Sequence, residues 1–224
     1  MKTIKFIGIL AILCGVISCE KDEQRSLENY WVSFATVTQT NNDGSFSVRL
    51  DNGTSALATK VKPSGFTTAK GERLIINYSL LSDSTDSQTR IIQINSIGTV
   101  EIKKIGILNT TNKDSIGNDP VDVEKIWSGG NYLNVSFSYY GNKQEHLFSL
   151  VKNTTIAPAN DGTIHLELRQ NAYGDALLVK NRAIISFDLR ALTSNINASN
   201  IQMVIEAKNY TGNVMNYALT YQIN

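Results

Sequence analysis

Thiol chemistry has almost nowhere to occur in this chain. Its 224 residues include two cysteines, Cys14 and Cys19, both near the amino terminus. Beyond residue 19 there is no thiol for a disulfide, a nucleophile or a thiolate metal site. Histidine is as scarce, with only His146 and His165. No His-Glu-x-x-His or His-x-x-Glu-His spacing exists, so a metal site is not expected and no cofactor is called for. There is no Gly-x-Ser-x-Gly elbow for a nucleophilic serine. Charge of one sign is also missing. Twenty-one Lys and Arg face 20 Asp and Glu, a formal net charge of +1. A near-neutral chain gives no electrostatic case for nucleic acid. After residue 17 no apolar run is long enough for a membrane helix.

The amino terminus is rich in what the rest lacks. Met1-Lys2-Thr3-Ile4-Lys5 is basic, and FIGILAILCGVI follows it. A basic start and about a dozen apolar residues make a secretory signal segment, too short to span a bilayer at roughly 20 residues. At its end Val16-Ile17-Ser18-Cys19 places aliphatic and small residues before a cysteine. This resembles the lipobox of bacterial lipoproteins, which implies a signal peptide over 1–18, lipidation of Cys19 and attachment to the membrane through that lipid. Cys14 has no such context. Removing 1–18 takes away Lys2 and Lys5 and moves the net charge slightly negative. Residues 19–29, with Glu20, Lys21, Asp22 and Glu23 in front, are polar enough to be a flexible tether.

From Tyr30 on, the chain alternates apolar and polar residues, the period of a half-buried strand. Phe46, Val48 and Leu50 share one face, and Leu74, Ile76, Tyr78 and Leu80 another. Asp43-Gly44 and Asp51-Asn52-Gly53 are hairpin turns. Short strands are expected at Tyr30–Thr38, Ser55–Val61, Arg90–Asn95 and Val100–Ile105, with a loop over 62–72. Five or six strands in so short a stretch suit a small barrel over 30–108. Residues 109–130 show no long periodic run. The second half, 109–224, alternates more cleanly, through Leu133, Val135, Phe137 and Tyr139, then Ile164, Leu166 and Leu168. Ile185, Phe187 and Leu189 continue it, followed by Ile201, Met203 and Ile205. It predicts six or seven strands in an antiparallel β-sandwich. Arg190 to Asn195 is the one place for a helical turn. The fold class is therefore all-β.

Several fragments recur in a familiar order: the lipobox and acidic tether, DGSFSVRLDNG, KGERLIINYSL, GNYLNVSFSYYGNKQEHLFSLV, LELRQNAYGDA and ISFDL. Together they resemble the NigD-like lipoproteins of Bacteroidota. The resemblance implies an N-terminal OB-like barrel followed by a C-terminal β-sandwich. An OB fold usually carries a helix between its third and fourth strands. Residues 62–72 lack that period, so a reduced barrel is expected. The family's name also raises a bacteriocin-immunity role. Lys21-Asp22-Glu23 resembles the surface-export signal of Bacteroidota lipoproteins, which implies an outer-membrane protein on the cell surface, with a periplasm-facing anchor as the alternative. Asp83-Ser84-Thr85 and Asp114-Ser115-Ile116 resemble the O-glycosylation sequon of the same bacteria. Ser84 and Ser115 are thus candidate modification sites, and two ordinary polar loops are the competing reading.

No catalytic set emerges. Glu167, Asp175 and Asp188 are the acids by type that a glycan hydrolase would need, but strand-surface and turn roles account for them. His165 should be solvated and His146 a satisfied, half-buried residue. Trp31 and Trp127 are expected to pack in a core or between domains, an exposed sugar-stacking ring being the alternative. The sequence points to a non-enzymatic binding or interaction module with a glycan or protein partner. An immunity-like protective lipoprotein, a cryptic glycan-acting enzyme and a structural subunit remain alternatives.

Overall fold

The computed structural model describes residues 30–62, 64–82, 89–156, 162–194, 196 and 198–223. The signal segment, Cys19, Lys21, Asp22, Glu23 and Ser84 lie outside them.

Five strands form the first body: β1 (Trp31–Thr40), β2 (Phe46–Leu50), β3 (Ser55–Val61), β4 (Arg73–Ser82) and β5 (Thr89–Lys104). They pair in the order β3-β2-β1-β4-β5, and β3 also pairs with β5, which closes a barrel. Closure matters because it removes the free edges that an open sheet would present. The alternation drives it. Ala35, Val37, Phe46, Val48, Leu50, Leu74, Ile76, Ile92 and Ile94 are all buried inside. Each fully buried large aliphatic contributes about 1.5–3 kcal/mol relative to exposure. The Asp51-Asn52-Gly53 turn reverses β2 into β3, with Gly53 at φ +84, which glycine adopts without a steric penalty. Among the described residues of 62–72 there is no helix, only turns and irregular chain, as the reduced barrel requires.

The second body begins on the last strand of the first. β5 is 16 residues long, and its final residues, Glu101 to Lys104, leave the barrel to pair in parallel with Ile185–Asp188. Eight more strands follow: β6 (Gly106–Leu108), β7 (Asp122–Gly129), β8 (Tyr132–Gly141), β9 (Leu147–Asn153), β10 (Ile164–Asn171), β11 (Val179–Asp188), β12 (Asn200–Lys208) and β13 (Val214–Gln222). One sheet continues from the barrel as β5-β11-β8-β7, and the other is β13-β12-β10-β9-β6. Phe137, Phe187, Leu133, Val135, Leu150, Leu166 and Ile205 fill the space between them. Among the described residues there are also two short helices, α1 (Lys113–Ile116) and α2 (Arg190–Thr193). The helical turn expected after Arg190 is α2.

The all-β class, the barrel and the sandwich are as the sequence predicts. Three local readings change. The two strands expected at Arg90–Asn95 and Val100–Ile105 are one, Thr89–Lys104. Its register against β4 shifts between Asn77 and Tyr78, and such a bulge breaks the alternation. Residues 109–130, read as aperiodic, contain α1 and β7. β7 is an edge strand whose register against β8 shifts between Val123 and Lys125, so its apolar residues lose a period of two. The sandwich also mixes parallel pairs, β10 with β12 and β6 with β9, into what was expected to be antiparallel.

Candidate functional site

The densest polar construction lies where barrel and sandwich meet. Arg73 opens β4, and its side chain is fully buried. A guanidinium has five N–H donors and cannot be neutralised, so burial demands a partner for each. All five are matched. Nη1 donates to Asp51 Oδ1 at 2.8 Å and Thr36 Oγ1 at 3.3 Å. Nη2 donates to Asp51 Oδ2 at 2.7 Å and Asn134 Oδ1 at 3.0 Å. Nε donates to Ser186 Oγ at 2.9 Å, and Ser186 in turn donates to Asn134 Oδ1 at 2.7 Å. The rings of Tyr132 and Phe34 lie 4.3 and 5.5 Å from the charge, within cation–π range. Arg73, Asp51 and Thr36 come from the barrel, Asn134 and Ser186 from the sandwich. The clamp therefore fixes one body on the other.

The sequence marked none of these residues as a site. Asp51 read as a turn residue, and Arg73 fell between the expected loop and the alternation that begins at Leu74. The available signal was parity: with Leu74, Ile76 and Tyr78 inward, Arg73 faces out of the barrel, toward whatever covers it. Asn134 is fully buried for the same reason, although it falls on the polar face of its strand.

Beside the clamp is a cleft of about 720 Å³, lined by Arg49, Asn52, Asn131, Thr220, Gln222 and the backbone of Gly129 and Gly130. It offers hydrogen-bonding groups and no exposed aromatic ring. A second groove, of about 600 Å³, lies on the outer side of the five-stranded sheet, where Lys152, His165, Glu167 and Glu206 meet. Glu167 and Glu206 are register partners on β10 and β12. Glu167 accepts from Asn153 at 2.7 Å and is ion-paired to Arg169, and Glu206 lies 3.7 Å from His165. His165 is on the surface, as expected. Among the described residues no group of three or more His, Cys, Asp or Glu is placed to hold a metal.

The other acids by type have structural partners. Asp188 is paired with Arg190, which holds its carboxyl below the usual range. Asp175 sits in the turn after β10, as its Gly174 neighbour suggested, and its side chain is 5% exposed. It accepts the Asn142 N–H at 2.5 Å and lies 3.1 Å from His146 Nε2. His146 is buried, more than expected, and its Nδ1 is 2.5 Å from Gln170 Nε2. The backbone N–H of Asn142 first, and then His146 and Lys143, pull the Asp175 pKa from 3.8 to about 2. A carboxyl with a depressed folded pKa adds stability above its unfolded value. It loses that contribution as pH falls toward the folded one. Asp175→Asn should lower the urea midpoint at pH 7 and flatten its decline between about pH 4 and pH 2. Urea titrations of both chains across that window check this; parallel declines would contradict it.

The tryptophans divide. Trp127 meets Phe34 edge-on at 5.2 Å across the junction, as inter-domain packing predicts. Trp31 stacks on Tyr78 at 5.9 Å yet stays 44% exposed. Tyr139 packs on Phe148 in the sandwich core, whereas Tyr140 lies against Tyr210, whose hydroxyl accepts its N–H at 2.7 Å. Ser115 is exposed on α1 and donates to the Asn112 carbonyl.

Comparison with known families and structures agrees with this architecture. The model of the NigD-like N-terminal OB domain matches residues 34–100, and that of the NigD-like C-terminal beta sandwich domain matches 104–221. A solved protein of unknown function from Bacteroides vulgatus is 28% identical with a TM-score of 0.77, covering 87% of this chain and 92% of its own. A Parabacteroides distasonis protein described as toxin-related is 25% identical with a TM-score of 0.69, over 87% and 94%. A NigD-like immunity protein from Bacteroides caccae shares the fold at 24% identity and a TM-score of 0.66, over 87% and 98%. No curated protein matches the chain. The two family matches take in most of its length, in the order barrel then sandwich, and the chain belongs to the NigD-like family.

Proposed function

We propose that the protein is a lipid-anchored cell-envelope protein whose barrel and sandwich act as a non-enzymatic binding module at the cell surface. The observation that carries this is Val16-Ile17-Ser18-Cys19 at the end of an apolar signal segment, followed by an acidic tether. The acids support the non-enzymatic part. A hydrolase needs one carboxyl kept protonated beside an ionised one. Arg190 holds the Asp188 carboxyl below its usual range, and Glu167 is engaged by Arg169 and Asn153. Asp175 is spent on a hairpin and a histidine. The two described grooves, one polar and one charged, are places for a glycan or protein partner.

Mass spectrometry of the mature protein should return an acylated amino-terminal Cys19 peptide. Protease treatment of intact cells should remove the protein, and Cys19→Ala should move it to the soluble fraction. An unmodified Cys19 peptide defeats the anchor, and protection from protease on intact cells defeats surface display. The name of the Bacteroides caccae relative motivates the competing reading of a protective, immunity-like role. That role requires a deletion strain to become sensitive to the bacteriocins of its own kind.

A further inference from the structure

Four apolar side chains stand in water where the chain enters the barrel. Tyr30 is 47% exposed, Trp31 44%, Val32 60%, and Leu81 on the adjacent strand 41%. They share one end of the barrel. Trp31 pairs with Tyr78 across β1 and β4 and stacks on its ring, and Leu81 lies three residues beyond Tyr78 toward the end of β4. Arg73, at the sandwich junction, is eight residues from Leu81 along the same strand. At about 3.3 Å per residue this puts Leu81 roughly 26 Å from the clamp, and Val32, Trp31 and Tyr30, four to six residues before Thr36, roughly 13–20 Å from it, toward the end of the barrel away from the sandwich. Arg90, exposed on the neighbouring β5, lies near Tyr78 and supplies a cation there.

We infer that this end of the barrel, through Tyr30, Trp31, Val32 and Leu81, seats on the lipid surface that holds the protein. The inference rests on the lipid-anchor reading above. The occupant follows from the chain itself. Ten residues separate Cys19 from Tyr30. A chain of that length cannot reach beyond about 35 Å. A lipid on Cys19 therefore holds this patch, before any other part of the molecule, against the headgroups. Trp and Tyr favour that layer because their rings are apolar and their N–H and O–H groups stay wet. The barrel then stands next to the bilayer, and the sandwich and the junction cleft face outward.

The test uses the native lipidated protein carrying Trp127→Phe, which keeps an aromatic ring against Phe34 and leaves Trp31 as the emitter. It is reconstituted into phosphatidylethanolamine–phosphatidylglycerol vesicles with plain or brominated acyl chains. Trp31 emission should shift to the blue and fall about twofold in the brominated vesicles, as for a ring at the interface. Tyr30→Ser/Val32→Glu should still float with the vesicles and lose that quenching. Flotation with an unquenched Trp31 overturns the inference and leaves the anchor intact. Failure of the unsubstituted native protein to float overturns the anchor reading and the inference with it.

Discussion

Asp51→Ala is expected to destabilise the folded chain by about 3–5 kcal/mol, the range for removing one partner of a buried ion pair. The asymmetry of the pair makes the prediction specific. Asp51 retains 16% side-chain exposure, whereas Arg73 has none. Taking away Asp51 strands a full positive charge in a dry place, with only Asn134, Ser186 and Thr36 left to solvate it. Taking away Arg73 leaves a carboxylate that water can reach, and an Asn134–Ser186 hydrogen bond that stands on its own. Arg73→Met should therefore cost less, about 1–3 kcal/mol, mostly from unpaired polar atoms. The double variant Asp51→Ala/Arg73→Met should be more stable than Asp51→Ala alone. Urea denaturation of the four chains reads this directly. If Arg73→Met proved as damaging as Asp51→Ala, the clamp would not work through the burial of the arginine. Because the clamp joins two separate cores, weakening it should also favour their unfolding in separate transitions.

The clamp also shows where the sequence stops being readable. Residues whose role is set by their own strand were legible. Leu133, Val135 and Phe137 alternate because one face of β8 meets the sandwich core, and nothing else had to be known. The same holds for Phe46, Val48 and Leu50 in the barrel. Residues whose role is set by a distant body were not. Asn134 and Ser186 stand between the core-facing residues of β8 and β11, on the polar side of the alternation, yet both are fully buried, because the barrel's Arg73 reaches them. β7 was missed for a related reason. Asp122–Gly129 pairs with β8 alone and slips register after Val123, so its pattern records neither a clean face nor a period. Cys19 is the opposite case. Its proposed role as the lipid site rests on four consecutive residues, Val16-Ile17-Ser18-Cys19, and calls on no distant body.

Gly129→Ala should produce the second large effect, through the same clamp but from the sandwich side. Gly129 ends β7 where the hairpin presses on the Asp51 carboxylate. An added Cβ would sit 2.5 Å from Asp51 Cγ and 2.8 Å from its Cβ, closer than real side chains come. The aspartate is too short to bend aside and keep both bonds to Arg73. It must swing out, and the arginine is then stranded much as in Asp51→Ala, at a similar cost of about 3 kcal/mol. Gly130, one residue on, is the control. A Cβ there would be 3.8 Å from Asp51 Oδ1, so its alanine variant suffers only from the positive φ of +55. The decisive measurement is a double-mutant cycle in urea. In an Asp51→Gly background both the carboxylate and the Cβ that meet Gly129 are gone, and Gly129→Ala should become nearly neutral, within about 0.5 kcal/mol. Additive losses in that background would mean that Gly129 is needed for the hairpin itself and not for the approach of Asp51.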